Sequence, residues 1–137
     1  MVSMDRTELI HTLNQQVRYI NKQLNEQLKK HKLYHSQWLI IYCLQRFGPM
    51  TQTEIWQYLN VEAPTVTRTL KRMEENGWII RKQGEDKRER LILLSNSAKE
   101  KYDAIKQSVE QFEVNILKAF TEEEQVQLAT LIKKIGE

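Results

Sequence analysis

Residues 51–94 read TQTEIWQYLNVEAPTVTRTLKRMEENGWIIRKQGEDKRERLILL, and this stretch decides the fold. Thr51-Gln52-Thr53-Glu54 is a capping box, hydroxyl and carboxylate satisfying the free amides at a helix start. The helix it opens is short and reaches about Leu59. Asn60-Val61-Glu62 makes the turn. Pro64 then suits the first turn of a second helix, where its missing N–H is not needed. Val66, Leu70 and Met73 step along that helix as an inward edge, and Asn76-Gly77 closes it. After Gly77 the period changes: Trp78, Ile80 and Lys82 alternate with Ile79 and Arg81, and Leu91-Ile92-Leu93-Leu94 is rich in strand formers. The polar, glycine-bearing run Gln83 to Arg90 lies between them. The stretch therefore predicts two short helices and a β-hairpin with a long charged tip.

Upstream, Leu9, Leu13, Val17, Ile20, Leu24 and Leu28 make one helical stripe, predicting a long helix over about residues 5–30. A further helix runs from about His35 to Phe47, with Trp38, Ile41 and Leu44 on one side, and Gly48-Pro49 ends it. Downstream, Ala98, Tyr102, Ile105, Val109, Phe112, Ile116 and Phe120 recur by threes and fours through another long helix. Thr121-Glu122-Glu123-Glu124 is a second capping box before Val126, Leu128, Leu131, Ile132 and Ile135. The expected fold is mainly α with a small β-hairpin, α+β in class. One domain fills residues 1–137, with a winged helix-turn-helix core at about 33–96. The helices at about 5–30 and 97–137 are dimerisation helices, because the stripe of the first exceeds what so small a core covers.

The 137 residues include only four Gly and two Pro, which favours helices over a turn-rich sandwich. Net charge is +3, so nucleic-acid binding must be argued from placement rather than amount. One cysteine, Cys43, excludes an intramolecular disulfide. No apolar run is long enough for a bilayer, and the first residues lack the apolar core of a signal peptide. A cytoplasmic protein without membrane contact is the expectation.

In a winged helix-turn-helix the second helix of the pair enters the major groove. Its non-core positions here are Thr65, Thr67, Arg68, Thr69, Lys71 and Arg72. Threonine can bond to base edges or phosphates and offers a methyl to thymine; arginine can grip guanine with two hydrogen bonds. The hairpin tip adds Lys87, Arg88 and Arg90, suited to phosphates or a narrow minor groove. Glu74, Glu75, Glu85, Asp86 and Glu89 offset part of this charge, as on an ordinary solvated face.

Gln37-Trp38, Gly48-Pro49-Met50-Thr51, Pro64-Thr65-Val66-Thr67-Arg68, Met73 to Ile79, Arg81 and Asp86-Lys87-Arg88 follow one another as in MarR-family transcription regulators. The chain resembles that family over about residues 33–98. The resemblance implies a homodimer with interlocked terminal helices that binds a pseudo-palindromic site on double-stranded DNA. It implies DNA contacts from Thr65, Thr67 and Arg68, and a wing in which Asp86 orients an arginine, Arg88, into the minor groove. It also implies release of DNA by a small, often aromatic, effector. Trp56, where a small alanine is usual, Tyr34 in place of a capping threonine, Ala98 in place of glycine and Glu89 beside the wing arginine depart from the common pattern.

The remaining chemistry-bearing residues read as structural. Nothing beside Cys43 in sequence would lower its pKa. His31 and His35 straddle a helix break, so their spacing does not make a metal site, and His11 stands alone. Tyr19, Trp38 and Tyr42 are candidates for lining an effector pocket, against the simpler reading as core or interface aromatics. No nucleophile–base set or phosphate-cradling glycine loop is present, so neither an enzyme nor a bound cofactor is expected. The functional expectation is a sequence-specific DNA-binding transcription regulator, a dimeric repressor released by a signal. The alternative is a winged module used for protein contacts.

Overall fold

The computed structural model describes residues 4–86 and 88–137. Asp5 opens α1 (Arg6–Leu28) by accepting the Glu8 N–H at 2.8 Å. A single 3₁₀ turn, Lys29–His31, continues it to Lys32, whose left-handed backbone (φ 59°) redirects the chain. Next come α2 (His35–Phe47), β1 (Met50–Thr51), α3 (Gln52–Leu59), α4 (Ala63–Glu75), β2 (Ile79–Gln83), β3 (Arg90–Leu94), α5 (Asn96–Ile116) and α6 (Glu122–Lys133).

The hairpin is the larger part of a three-stranded antiparallel sheet in the order β1-β3-β2. Arg81 faces Ile92 across the hairpin, and Met50 faces Ile92 from the other side. Strand β1 is an addition to the hairpin expected from the sequence. Its two residues carry no periodicity, and they join the sheet because Ile92 and Leu91, distant in sequence, supply the ladder. A second difference concerns α5, expected to run through Phe120. It stops at Ile116, because the Thr121 capping box needs extended backbone at Thr121 (φ −71°, ψ 164°) and restarts the chain as α6. Phe120 lies in the intervening turn, its N–H donating to the Leu117 carbonyl at 2.9 Å.

One continuous core joins the winged part to the long helices. Val66, Leu70 and Met73 of α4 meet Ile55 of α3, Ile40, Ile41 and Leu44 of α2, and Ile79 and Ile92 of the sheet. The same cluster continues through Leu24 and Leu28 of α1 into Tyr102, Ile105, Val109 and Phe112 of α5. Trp56 packs half-buried against it, filling the place where the common pattern has an alanine. Beyond Leu24 most of the stripe on α1 is bare: Leu9, Val17 and Ile20 are exposed and Leu13 half-buried, while Val126, Leu131, Ile132 and Ile135 of α6 are exposed.

Candidate nucleic-acid interface

Helix α4 turns its inward edge to the core and its opposite face to solvent. Pro64 occupies its first turn, and Glu62 precedes it in extended conformation. With about 100° between successive residues, Arg68 and Glu75 point most directly away from Val66, Leu70 and Met73, with Lys71 close by. Thr67 and Glu74 fall on the flank facing α3 and the sheet, while Thr65, Thr69 and Arg72 fall on the flank facing α2. Arg68, Lys71 and Arg72 are exposed; Thr65 and Thr69 are half-buried.

The flanking residues are held by specific bonds. Thr67 donates its hydroxyl proton to the Ala63 carbonyl at 3.0 Å, and its oxygen accepts from Gln52 Nε2 of α3. Thr69 donates to the Thr65 carbonyl at 2.9 Å, and the Arg68 guanidinium reaches Thr65 Oγ1 at 3.4 Å. Beside this flank lies a hollow of about 330 Å³, walled by Asn25, Tyr34, His35, Thr65, Arg68 and Arg72, among others. His35 is fixed there by Asn25, whose Oδ1 accepts the His35 backbone N–H at 2.7 Å and the ring Nδ1–H at 3.2 Å. Burial lowers the His35 pKa below 6.5. Tyr34 supplies no side-chain cap to α2; the buried Gln37 instead accepts the Tyr34 N–H at 3.1 Å.

The wing is tied to α4 at its base. Arg81 of β2 donates to Glu74 of α4 at 3.2 Å. Glu74 therefore neutralises an arginine of the sheet, and Glu75 is the acid left on the exposed face of α4 with Arg68, Lys71 and Arg72. Among the described residues no salt bridge involves Arg68, Lys71, Arg72 or Arg88. At the tip, the Asp86 carboxylate accepts the backbone N–H of Arg88 at 3.0 Å, and its carbonyl accepts that of Glu89 at 2.9 Å. Asp86 thus shapes the turn that carries Arg88 by binding its main chain. Gly84 lets the strands close here, since a Cβ on it would lie 2.9 Å from Glu89 Cβ. Lys87 lies outside the described residues.

The aromatic residues named from sequence separate into two places. Tyr19 is exposed on α1 above a hollow of about 350 Å³ with Phe112 and Ile116 on its floor. Trp38 and Tyr42 belong instead to a ladder with Tyr102, the Trp38 and Tyr102 rings stacked at 5.8 Å. Cys43 is fully buried, and burial pushes its pKa up to about 11. His31 Nε2 and Ser108 Oγ share a hydrogen bond at 2.8 Å. Gln52, Glu74 and His35 were not among the residues singled out for this surface. They act through partners 15, 7 and 10 positions away, which helical periodicity does not connect.

A helix pair with an exposed basic second member, backed by a three-stranded sheet whose hairpin projects beside it, defines a winged helix-turn-helix protein. Residues 33–89 match the MarR family. The chain is 54% identical over 125 residues to the uncharacterized HTH-type transcriptional regulator YwoH of Bacillus subtilis, covering 91% of each. It belongs to the MarR family. Among solved structures it is similar to a cysteine-to-serine mutant of Escherichia coli MarR complexed with operator DNA. That match has a TM-score of 0.84 and 26% identity, over 96% of this chain and 93% of that one. Wild-type apo MarR from E. coli matches with a TM-score of 0.77 and 25% identity, over 99% and 100% of the two chains. No helix among the described residues is long and apolar enough to cross a membrane.

Proposed function

We propose that the chain is a sequence-specific, double-strand DNA-binding transcription regulator that works as a homodimer in the cytoplasm, without catalytic activity. The observation that carries the reading is the unpaired cationic face of α4 beside an Arg88-bearing wing, with Glu74 diverted to Arg81. In this reading Arg68 takes a base edge in the major groove, with Lys71 and Arg72 on phosphates. Thr65, Thr67 and Thr69 line the protein side of the groove, while Arg88 and Lys87 serve the wing. The likeness to MarR held on operator DNA supports the same placement of α4. The bare apolar stripes of α1 and α6 support the dimer.

Repression, with release by a small ligand, completes the proposal. The hollow walled by His35, Arg68 and Arg72 supports it, because an occupant would engage two of the side chains that DNA needs. The protein-contact alternative calls for an apolar or acidic α4 face, and this face is neither.

The test is binding by the full chain to a duplex it selects from a random pool, read by fluorescence anisotropy across salt concentrations. Arg68→Ala should cost ~1–3 kcal/mol and relax preference at one position in each half-site. Arg88→Ala should weaken all sequences evenly and lower the salt slope by about 1. If neither variant differs from the parent, this surface does not bind DNA.

A further inference from the structure

Thr67 stands on an exposed face of α4, yet its polar atom is already engaged. The single hydroxyl proton goes to the Ala63 carbonyl at 3.0 Å, one turn back along the helix. One of the two oxygen lone pairs is taken by Gln52 Nε2, which reaches across from the first turn of α3. A threonine hydroxyl has one proton and two lone pairs. Thr67 therefore has no donor left for an acceptor on a base edge, and it can offer the groove only one oxygen lone pair and its γ-methyl.

Gln52 closes this arrangement from outside the helix. A threonine in a helix has two accessible χ1 wells, and a bond from a neighbouring helix selects between them. Gln52 is not itself on the presented face of α4, and it does not need to touch DNA to matter.

We propose that Thr67 is a specificity-determining residue that reads a thymine through its methyl group, and that Gln52 is the positioning residue that holds the hydroxyl inward so that the methyl faces out. The inference rests on α4 being the DNA-reading helix, as proposed above. The thymine C5-methyl is the one apolar feature of the major-groove edge and is absent from uracil. Reading by methyl contact thus discriminates thymine from cytosine without any hydrogen bond, and leaves Arg68 to supply the polar recognition.

The experiment uses the full chain and its own selected duplex, with each thymine in turn replaced by deoxyuridine. For the parent, one position per half-site should lose about fourfold in affinity, the worth of one methyl group withdrawn from water. Thr67→Val keeps the methyl and discards the hydroxyl, and it should retain this sensitivity. Thr67→Ser keeps the hydroxyl and discards the methyl; it should bind thymine and uracil alike at that position. Gln52→Ala should narrow the thymine-to-uracil ratio there although Thr67 is intact, an effect that a loss of stability alone would not confine to one base. Urea midpoints establish that each variant is folded, and if Thr67→Val fails to fold, the uracil scan of Thr67→Ser decides alone. A uracil effect that is the same with Thr67, Val and Ser overturns the inference, as does tight binding by Thr67→Ser joined to loss in Thr67→Val. A parent chain that selects no sequence at all would instead overturn the DNA-reading assignment on which it rests.

Discussion

At Cys43 and His35 burial decides the chemistry, outweighing at Cys43 the opposing pull of Arg46. The Cys43 thiol, with its pKa raised to about 11, remains protonated at neutral pH and lacks the thiolate that reacts with oxidants. Labelling of the native protein with a disulfide reagent should be very slow and should become complete in guanidinium; rapid native labelling would make Cys43 a reactive site. Folding also lowers the His35 pKa below 6.5, and that of His31 likewise, by burial and then by Lys30. Above the unfolded value both states are neutral and stability is full. As pH falls below about 6.5 the unfolded chain takes up protons that the folded chain resists, so stability declines until the depressed values are reached. Urea unfolding between pH 7.5 and 5.5 should show this decline, and His35→Gln should flatten it in part. Stability that is constant or rises over that range would contradict the assignment.

Local rules act most directly at the level of the helices and the wing. Thr51 and Glu54 cap α3 reciprocally, the Thr51 N–H donating to Glu54 at 3.0 Å and the Glu54 N–H to Thr51 Oγ1 at 3.2 Å. The bonds from Thr51 also hold the Glu54 carboxyl below its usual pKa. Thr51→Ala should therefore cost about 1 kcal/mol in urea unfolding; no change would mean that the cap contributes nothing. Such features were legible because each is spelled by neighbours: Thr51-Gln52-Thr53-Glu54, Pro64 at a helix start, the Val66-Leu70-Met73 edge. The winged helix-turn-helix and its exposed basic face could be read for that reason. Strand β1 could not, since the Thr51 cap accounts for one extended residue, whereas the pairing of Met50 and Thr51 with Ile92 and Leu91 is not spelled by neighbours. The end of α5 was misplaced because Phe120 keeps the apolar period while the Thr121 cap breaks the backbone. Within the candidate site, the identities of the α4 residues were legible, but their partners were not. Gln52 meets Thr67 and Glu74 meets Arg81 only through the packing of α3 and the sheet on α4.

On the scale of the whole molecule, the exposed apolar stripes of α1 and α6 are the surface on which the proposed second copy would pack. Leu131 and Ile132 are 59% and 47% exposed on a helix that contributes nothing to the core of its own chain. Leu131→Glu should turn a dimer in sedimentation equilibrium into a monomer and weaken operator binding far more than it disturbs the fold. A monomeric parent, or a dimer that survives this change, would contradict the proposed interface. In a two-fold dimer the two α4 helices meet successive major grooves on one side of the duplex, so the site must repeat with the helical turn. A hydroxyl-radical footprint of the parent and Arg68→Ala on the selected duplex tests this directly. The expected result is an inverted repeat, protected on one face, with half-site centres about 10–10.5 base pairs apart or a multiple of that, and with protection lost in Arg68→Ala. Uniform protection without sequence preference, or a footprint unchanged by Arg68→Ala, would contradict DNA reading by α4.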